Sequence, residues 1–460
     1  MKEKLASLFL RQSYQDNWED YKRSLYKKNF AKWDYIILTA SNEEQANAYR
    51  GQISYRLKNG LLPNTTHYAV ISDPEGKRVG SGGATLNVLK YVQQNSNNIH
   101  CFENNRILVI HSGGDSKRVP QYSAGGKLFS PVPRVLPNGY RSTLFDEFII
   151  GMSGVPSRIK DGMLVLSGDV LLLFNALQID FSGETSACIS IKECAEIGKN
   201  HGVFLADSNG YVGNFLHKLP VDTLKHIGAV NQNGNVNLDT GAVLFSSNIL
   251  KDLFSLISTN GIPDNIKFNK YVNEKVRLSF YADFLYPLAT NSTLEQYYKE
   301  VPEGDYSNEL MECRTEIWNI LHKYKMKLIS LSPAEFIHFG TTKELLSLMT
   351  DKISNYYFLD WRTQVISNIN DDVTSFACNN VYIDETSTIG KGSYIEDSYI
   401  LNNTTIGENC IVSNVTLKNA HIPNNVVVHG LKLQDGRFIV RIYGINDNPK
   451  DSLENNGLFM

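Results

Sequence analysis

A chain of 460 residues, 42% hydrophobic and 20% charged, carries enough apolar side chain for two or three packed domains. A formal net charge of −3 argues against binding nucleic acid or a membrane surface through bulk charge. The six cysteines form no C-x-x-C pair, and no apolar run nears the roughly 20 residues that span a bilayer. The N-terminal apolar run is too short for a signal peptide. The expectation is a cytoplasmic protein with free thiols and with neither nucleic acid nor membrane as partner.

Residues 1–32 read as a helical segment, with Leu, Phe, Trp and Tyr among many charges. The pattern then turns to short apolar runs, each a buried-strand candidate: Trp33 to Ala40, His67 to Ser72, Arg106 to His111 and Met163 to Ser167. Ser41, with Glu44 three residues on, has the spacing of a capping box for the helix that follows. A further helix is expected over Ala84 to Val92. Strands of continuous apolar residues alternating with helices predict an α/β fold with a mostly parallel, Rossmann-like sheet covered on both faces. The segment from about 185 to 330 continues this domain, with strands at Val203–Ala206 and Thr240–Phe245 and helices at 247–258 and 308–323.

The C-terminal part has another rhythm. Ile383, Ile389 and Ile395 are six apart, as are Ile400, Ile406 and Val412, and then Ile422 and Val428. An aliphatic every sixth residue predicts a short parallel β-helix with one inward aliphatic per face, whose coils offer an edge for homo-oligomer contact. The domains expected are thus the N-terminal helical segment 1–32, the α/β domain 33–350 and the β-helix 351–460.

Ligands in open parallel sheets sit beyond the carboxyl ends of the strands, and three segments lie there. Ser72-Asp-Pro-Glu-Gly-Lys-Arg-Val-Gly-Ser-Gly-Gly-Ala-Thr85 brings Gly80, Gly82 and Gly83. His111-Ser-Gly-Gly-Asp-Ser-Lys-Arg-Val-Pro120 brings Gly113, Gly114, Asp115, Ser116, Lys117 and Arg118, with Gly125-Gly126-Lys127 after it. Phosphate binding needs backbone N–H groups at close range, which glycine permits, and cations to offset charge. Neither segment has the spacing of a P-loop or of the dinucleotide fingerprint, and a tight strand–helix turn without ligand explains either one alone. Gly168-Asp169 places a carboxylate at a strand end, where it suits Mg²⁺ or simply a turn. Asp283 is a second metal-ligand candidate, against a capping aspartate. Lys218 can reach a phosphate or sit in solvent, and Asp239 can accept from sugar hydroxyls. His338, between Phe336 and Phe339, is by default a packed histidine.

Asp73-Pro-Glu-Gly-Lys-Arg-Val-Gly-Ser-Gly-Gly-Ala-Thr-Leu-Asn87 and Leu108-Val-Ile-His-Ser-Gly-Gly-Asp-Ser-Lys-Arg-Val-Pro120 resemble the fucose-1-phosphate guanylyltransferases, or GDP-L-fucose pyrophosphorylases. The likeness extends to the N-terminal half of the bifunctional fucokinase/GDP-fucose pyrophosphorylases of plants and gut bacteria. Leu166-Ser-Gly-Asp-Val170, Phe336-Ile-His-Phe-Gly-Thr341 and Asp435-Gly-Arg-Phe-Ile-Val-Arg-Ile-Tyr-Gly444 resemble that half too, so the likeness runs from about Trp33 onward.

The resemblance implies a nucleotidyltransferase domain followed by a β-helix, with GTP and L-fucose-1-phosphate as substrates and Mg²⁺ as cofactor. It implies triphosphate contacts from Gly113, Gly114, Arg118 and Lys127, although Gly126 stands where the wider motif has proline. It implies metal binding by Asp169 and a sugar-phosphate contact from Lys218, with Leu219 intervening before Pro220. Asp239, Thr240, His338 and Gly340 fall at the sugar site. The bifunctional enzymes continue into a sugar kinase; this sequence ends at Met460, so a separate kinase is expected upstream. Nothing in residue spacing selects guanine or fucose, which leaves another sugar phosphate or nucleotide as the alternative. A non-catalytic nucleotide-sugar sensor and a hexapeptide acyltransferase are the others. For the last, His421 and His429 lack an evident carboxylate partner.

Overall fold

The structure, a computed structural model, describes residues 2–96, 100–114, 116–370 and 372–448. They fall into two compact units, one from Gln12–Gly114 and Phe148–Ile337, the other from the described residues of Met1–Arg11, Asp115–Glu147 and His338–Met460. No helix among the described residues is long and apolar enough to cross a membrane.

The first unit is organised by a nine-stranded sheet. Its strands are β1 (Tyr35–Ala40), β2 (His67–Ser72), β3 (Arg106–His111), β4 (Gly162–Ser167), β5 (Ser186–Cys194), β6 (Gly202–Ala206), β7 (Val212–His217), β8 (Asn235–Phe245) and β9 (Met326–Leu331). The order β7-β6-β8-β4-β3-β1-β2 forms the main path, with β5 pairing β8 and β9. Pairs β1–β2, β1–β3, β3–β4 and β5–β9 are parallel, and β8 runs antiparallel to β4, β5 and β6. The apolar runs read from sequence are these central strands: Ile37, Leu38, Ile107, Val109, Met163 and Val165 are fully buried. Each such side chain contributes about 1.5–3 kcal/mol by leaving water.

Helix α1 spans Lys2–Tyr26, α2 Glu43–Lys58 and α3 Gly80–Ser96. The cap of α2 lies one residue beyond the expected one. Asn42 accepts from the Gln45 N–H at 2.9 Å, and the Gln45 side chain reaches back to the Ser41 N–H at 2.8 Å. The reciprocal box therefore closes through Gln45, not Glu44.

The first glycine segment opens α3 and packs against backbone. Gly80 sits at φ +79°, and a Cβ there would lie 2.2 Å from the Leu278 carbonyl oxygen. A Cβ on Gly82 would lie 3.0 Å from the same residue, and its N–H donates to the Leu278 carbonyl at 2.7 Å. Gly80→Ala combines a left-handed backbone with a backbone clash, so it is expected to cost roughly 2–3 kcal/mol. A urea midpoint equal to the parent's would refute that.

In the second unit, β10 (Gln364–Ser367), β11 (Ala377–Ile383), β12 (Tyr394–Ile400), β13 (Ile411–Ser413) and β14 (Val426–Lys432) form a parallel ladder. The antiparallel β15 (Phe438–Gly444) closes it. Cys378, Ile395, Val412 and Val428 are consecutive partners, so successive strands repeat after 17, 17 and then 16 residues. Ile389, Ile406 and Ile422 form a second ladder in step with it. Ile383, Ile395, Ile400, Ile406, Val412, Ile422 and Val428 share one core cluster, which is the periodicity read from sequence. Asn403, Asn409, Asn414, Asn419 and Asn425 all take positive φ, the left-handed turn that asparagine tolerates through local hydrogen bonding.

Residues 116–147 join this unit through specific bonds. Arg134 forms a buried two-pronged bridge to Glu147 at 2.8 and 2.7 Å and donates to the Leu359 carbonyl at 3.0 Å. The Arg362 N–H donates to the Pro133 carbonyl at 2.8 Å.

Candidate functional site

In the first unit, strands β2 and β3 flank β1 on opposite sides, so chain direction across the sheet reverses at β1. A crevice opens at the carboxyl ends of strands where order reverses in this way. The second glycine segment leaves β3 there. Ser112 donates to the Thr39 carbonyl at 2.8 Å, the Gly113 N–H donates to the Thr39 hydroxyl at 3.3 Å, and Gln45 donates to the Gly114 carbonyl at 3.1 Å. Gly113 and Gly114 are exposed, so the start of the segment is tethered while facing outward. Asp115 lies outside the described residues.

Asp169 follows β4 in the same neighbourhood. The Gly168 N–H donates to the His111 carbonyl at 3.0 Å, and a Cβ on Gly168 would come within 2.8 Å of that oxygen, so only glycine lets this turn lie against β3. The Ser167 hydroxyl donates to Asp169 Oδ1 at 2.7 Å. Burial holds the His111 imidazole down at about 4, so it is neutral, and its Nε2 pairs with the Thr85 hydroxyl at 3.1 Å.

Asp239 and Thr240 reach this region along β8. Asp239 Oδ1 accepts from the Gly241 N–H at 2.8 Å, and burial pushes the carboxyl up to about 6. Thr240 is buried, and its hydroxyl donates to the Ile189 carbonyl at 2.6 Å, which commits it to the sheet. Gly241 takes φ +70°, and a Cβ there would lie 3.1 Å from Ser167 Cβ and 3.3 Å from the Tyr281 hydroxyl. That hydroxyl donates to the Gly241 carbonyl at 3.2 Å. Burial raises the Tyr281 pKa strongly, and the charges of Asp239 and Asp169 raise it further. Both carboxylates thus act electrostatically on one half-buried phenol. Tyr281 was not singled out from sequence; its one signal was its place two residues before Asp283.

Lys218 is exposed and held at φ +50°, with its N–H donating to the His201 carbonyl at 3.1 Å. Gly202 follows His201, and a Cβ there would lie 3.0 Å from Asp239 Cβ. Lys218 and Asp239 thus share the His201–Gly202 strand end.

Two other expectations meet different surroundings. Asp283, the second metal-ligand candidate, is fully buried: Oδ1 accepts from Arg314 Nε at 2.8 Å and Oδ2 from the Ser279 N–H at 2.6 Å. Burial raises its carboxyl and the Arg314 charge opposes that. An internal guanidinium thus stands where a cation was expected. Gly80, Gly82 and Gly83, expected to cradle phosphate, lie at a helix start where the Ser81 and Gly82 N–H groups already have protein partners. The Ser81 N–H and hydroxyl both reach Glu303, the Gly82 N–H reaches Leu278, and a Cβ on Gly83 would sit 3.0 Å from Val79.

In the second unit, Ser116 takes φ +48°, and Lys117 and Arg118 are exposed. The Thr342 N–H and hydroxyl both donate to the Arg118 carbonyl, at 2.9 and 3.0 Å. Lys127 Nζ donates to the Gly340 carbonyl at 3.5 Å. Gly340 lies close under two side chains, because a Cβ would lie 2.0 Å from the His338 ring and 2.6 Å from Glu344. His338 Nδ1 stands 3.5 Å from Glu344. Arg118, Lys127, His338 and Gly340, far apart in sequence, are therefore neighbours.

The chain is 28% identical over 460 residues to a Homo sapiens protein named fucose-1-phosphate guanylyltransferase, a similarity covering 92% of this chain and 74% of that one. A Mus musculus protein of the same name is 25% identical over 450 residues, covering 92% and 75%. A bifunctional fucokinase/GDP-fucose pyrophosphorylase from Arabidopsis thaliana is 26% identical over 480 residues, covering 93% of this chain and 43% of that protein. The fucose pyrophosphorylase domain matches residues 100–460, most of the sequence and every strand from β3 onward, and the chain belongs to that family.

Proposed function

We propose that this chain transfers a guanylyl group from GTP to L-fucose-1-phosphate, giving GDP-L-fucose and pyrophosphate. The observation that carries the reading is the family match over residues 100–460, from the strand that launches the second glycine segment onward. An anionic phosphate oxygen of the sugar attacks the α-phosphorus of GTP, the new O–P bond forms, and the bond to the β-phosphate bridging oxygen breaks. The nucleophile already carries its charge, so no covalent enzyme intermediate is needed. The barrier lies in bringing two polyanions together in line.

In this reading Gly113, Gly114, Ser116 and Lys117 receive the nucleotide phosphates, and Arg118 and Lys127 offset the charge of the departing pyrophosphate. Lys218 brings in the sugar phosphate. Asp239 binds sugar hydroxyls, with Thr240 holding its strand. The donor chemistry fits Mg²⁺: Asp169 offers hard oxygen, and magnesium is commonly held by one or two carboxylates plus substrate phosphates. Bound there, Mg²⁺ would neutralise phosphate charge.

We further read the first unit as a nucleotidyltransferase domain and the 17-residue ladder of the second as coils of a parallel β-helix. A sugar kinase, the other activity named in the bifunctional relatives, would supply the sugar phosphate. The cysteines, five of them buried and all free, fit a reducing cytoplasm.

The test is pyrophosphate release from purified protein with Mg²⁺, fucose-1-phosphate and each of GTP, ATP, CTP and UTP. Release with GTP, accompanied by a GDP-sugar mass, is the expected result. Release only with another nucleotide would break the guanine assignment. No release across a panel of sugar-1-phosphates, alongside tight nucleotide-sugar binding, would favour a sensor.

A further inference from the structure

Arg118 and Lys127 stand on either side of a short turn, Pro120–Tyr122. Three successive residues of that turn are gripped by side chains from the C-terminal ladder of the same unit. Arg441 donates to the Pro120 carbonyl at 2.6 Å, Tyr443 to Gln121 Oε1 at 3.1 Å, and the Tyr122 hydroxyl to Glu396 Oε2 at 2.8 Å. Glu396, on β12, is almost wholly buried, and its other oxygen accepts from the Ser413 hydroxyl at 2.7 Å. Arg441, on β15, is itself oriented by His429 Nδ1 at 2.8 Å. Burial, and next the Arg441 charge, push His429 down to about 4, so its ring is neutral and can accept that bond.

We propose that Glu396, with Arg441 and Tyr443, is a positioning group for the turn between Arg118 and Lys127, and through it sets how tightly the chain holds a nucleoside triphosphate. The inference rests on the reading above that Arg118 and Lys127 contact the triphosphate. A hydrocarbon core would hold two segments together equally well. A buried acid is costly, since desolvation and the neighbouring Asp397 raise its carboxyl to about 7. What it adds is direction, because a hydrogen bond to a carboxylate fixes the turn's orientation as well as its distance. The other charged groups beside it are spoken for: Asp397 pairs with Arg141 and accepts from Asn380.

The experiment is steady-state kinetics of Glu396→Gln, Tyr122→Phe and Arg118→Ala, with both substrates varied and melting temperatures measured alongside. Glu396→Gln and Tyr122→Phe are expected to raise KM for GTP about tenfold, the loss of one charge-assisted hydrogen bond. The KM for fucose-1-phosphate and kcat should stay within about twofold. Unchanged KM for GTP, equal rises in both KM values, or a change explained by lowered melting temperature would each overturn the inference. Should Glu396→Gln fail to fold, Tyr122→Phe decides alone, since it removes a single hydroxyl from the turn. A weakened Arg118→Ala beside unaffected Glu396→Gln and Tyr122→Phe overturns only this inference. An Arg118→Ala with normal KM for GTP overturns the assignment on which it rests.

Discussion

Asp169→Asn should fold as the parent does and lose about 10²–10³ in turnover, the usual effect of removing one group that stabilises developing charge. The side chain sits in a turn held by backbone: Gly168 bonds the His111 carbonyl and packs where no Cβ fits. The amide oxygen of asparagine can still accept from the Ser167 hydroxyl, so the local geometry should survive. What disappears is a negative charge felt by Tyr281, and with it the hard anionic oxygen suited to magnesium. Turnover at saturating substrate, with circular dichroism as the control, makes the measurement. Near-normal turnover from a well-folded Asp169→Asn protein would remove Asp169 from the chemistry.

Asp283→Ala should act in the opposite way, costing about 3–5 kcal/mol of stability by leaving a buried guanidinium without its counter-charge. Arg314 and Asp283 are both fully buried and stand 2.8 Å apart. Arg314 also donates to the carbonyls of Tyr297, Tyr298 and Glu300 at 3.1, 3.3 and 2.9 Å, so it cannot swing out to water without breaking several bonds. Its loss would reach the site indirectly, because Asp283 lies two residues after Tyr281, whose hydroxyl bonds the Gly241 carbonyl. Urea unfolding of Asp283→Ala and Arg314→Leu tests the pair. If both unfold within about 0.5 kcal/mol of the parent, the buried bridge is not what holds this segment. A magnesium-dependent defect without destabilisation would instead return Asp283 to the metal site.

The contrast between these two aspartates shows where reading a sequence stops. Both follow apolar residues, and both were candidate ligands. Gly168-Asp169 was distinguished by ending a strand, and strand ends are visible in local pattern. Asp283 was decided by Arg314, 31 residues away on a helix over Asn308–Leu321, and no local pattern reports that partner. The two glycine segments divide in the same way. Glycine signals that something must come close. Around Gly80 and Gly82 the close neighbour is the Leu278 backbone, whereas Gly113 and Gly114 stay exposed at the switch point of the sheet.

The central strands, the carboxyl-end placement of Gly113, Gly114 and Asp169, and the six-residue aliphatic rhythm are legible along the chain, because period and strand-end position are properties of neighbours in sequence. Folding alone gathers residues 116–147, with Arg118 and Lys127, into one compact unit with the C-terminal ladder. Arg134 to the Leu359 carbonyl, Arg441 to the Pro120 carbonyl and Tyr122 to Glu396 join residues more than 200 positions apart. Bonds of that range come from how buried polar groups find partners once the chain has folded, and sequence spacing holds no record of them.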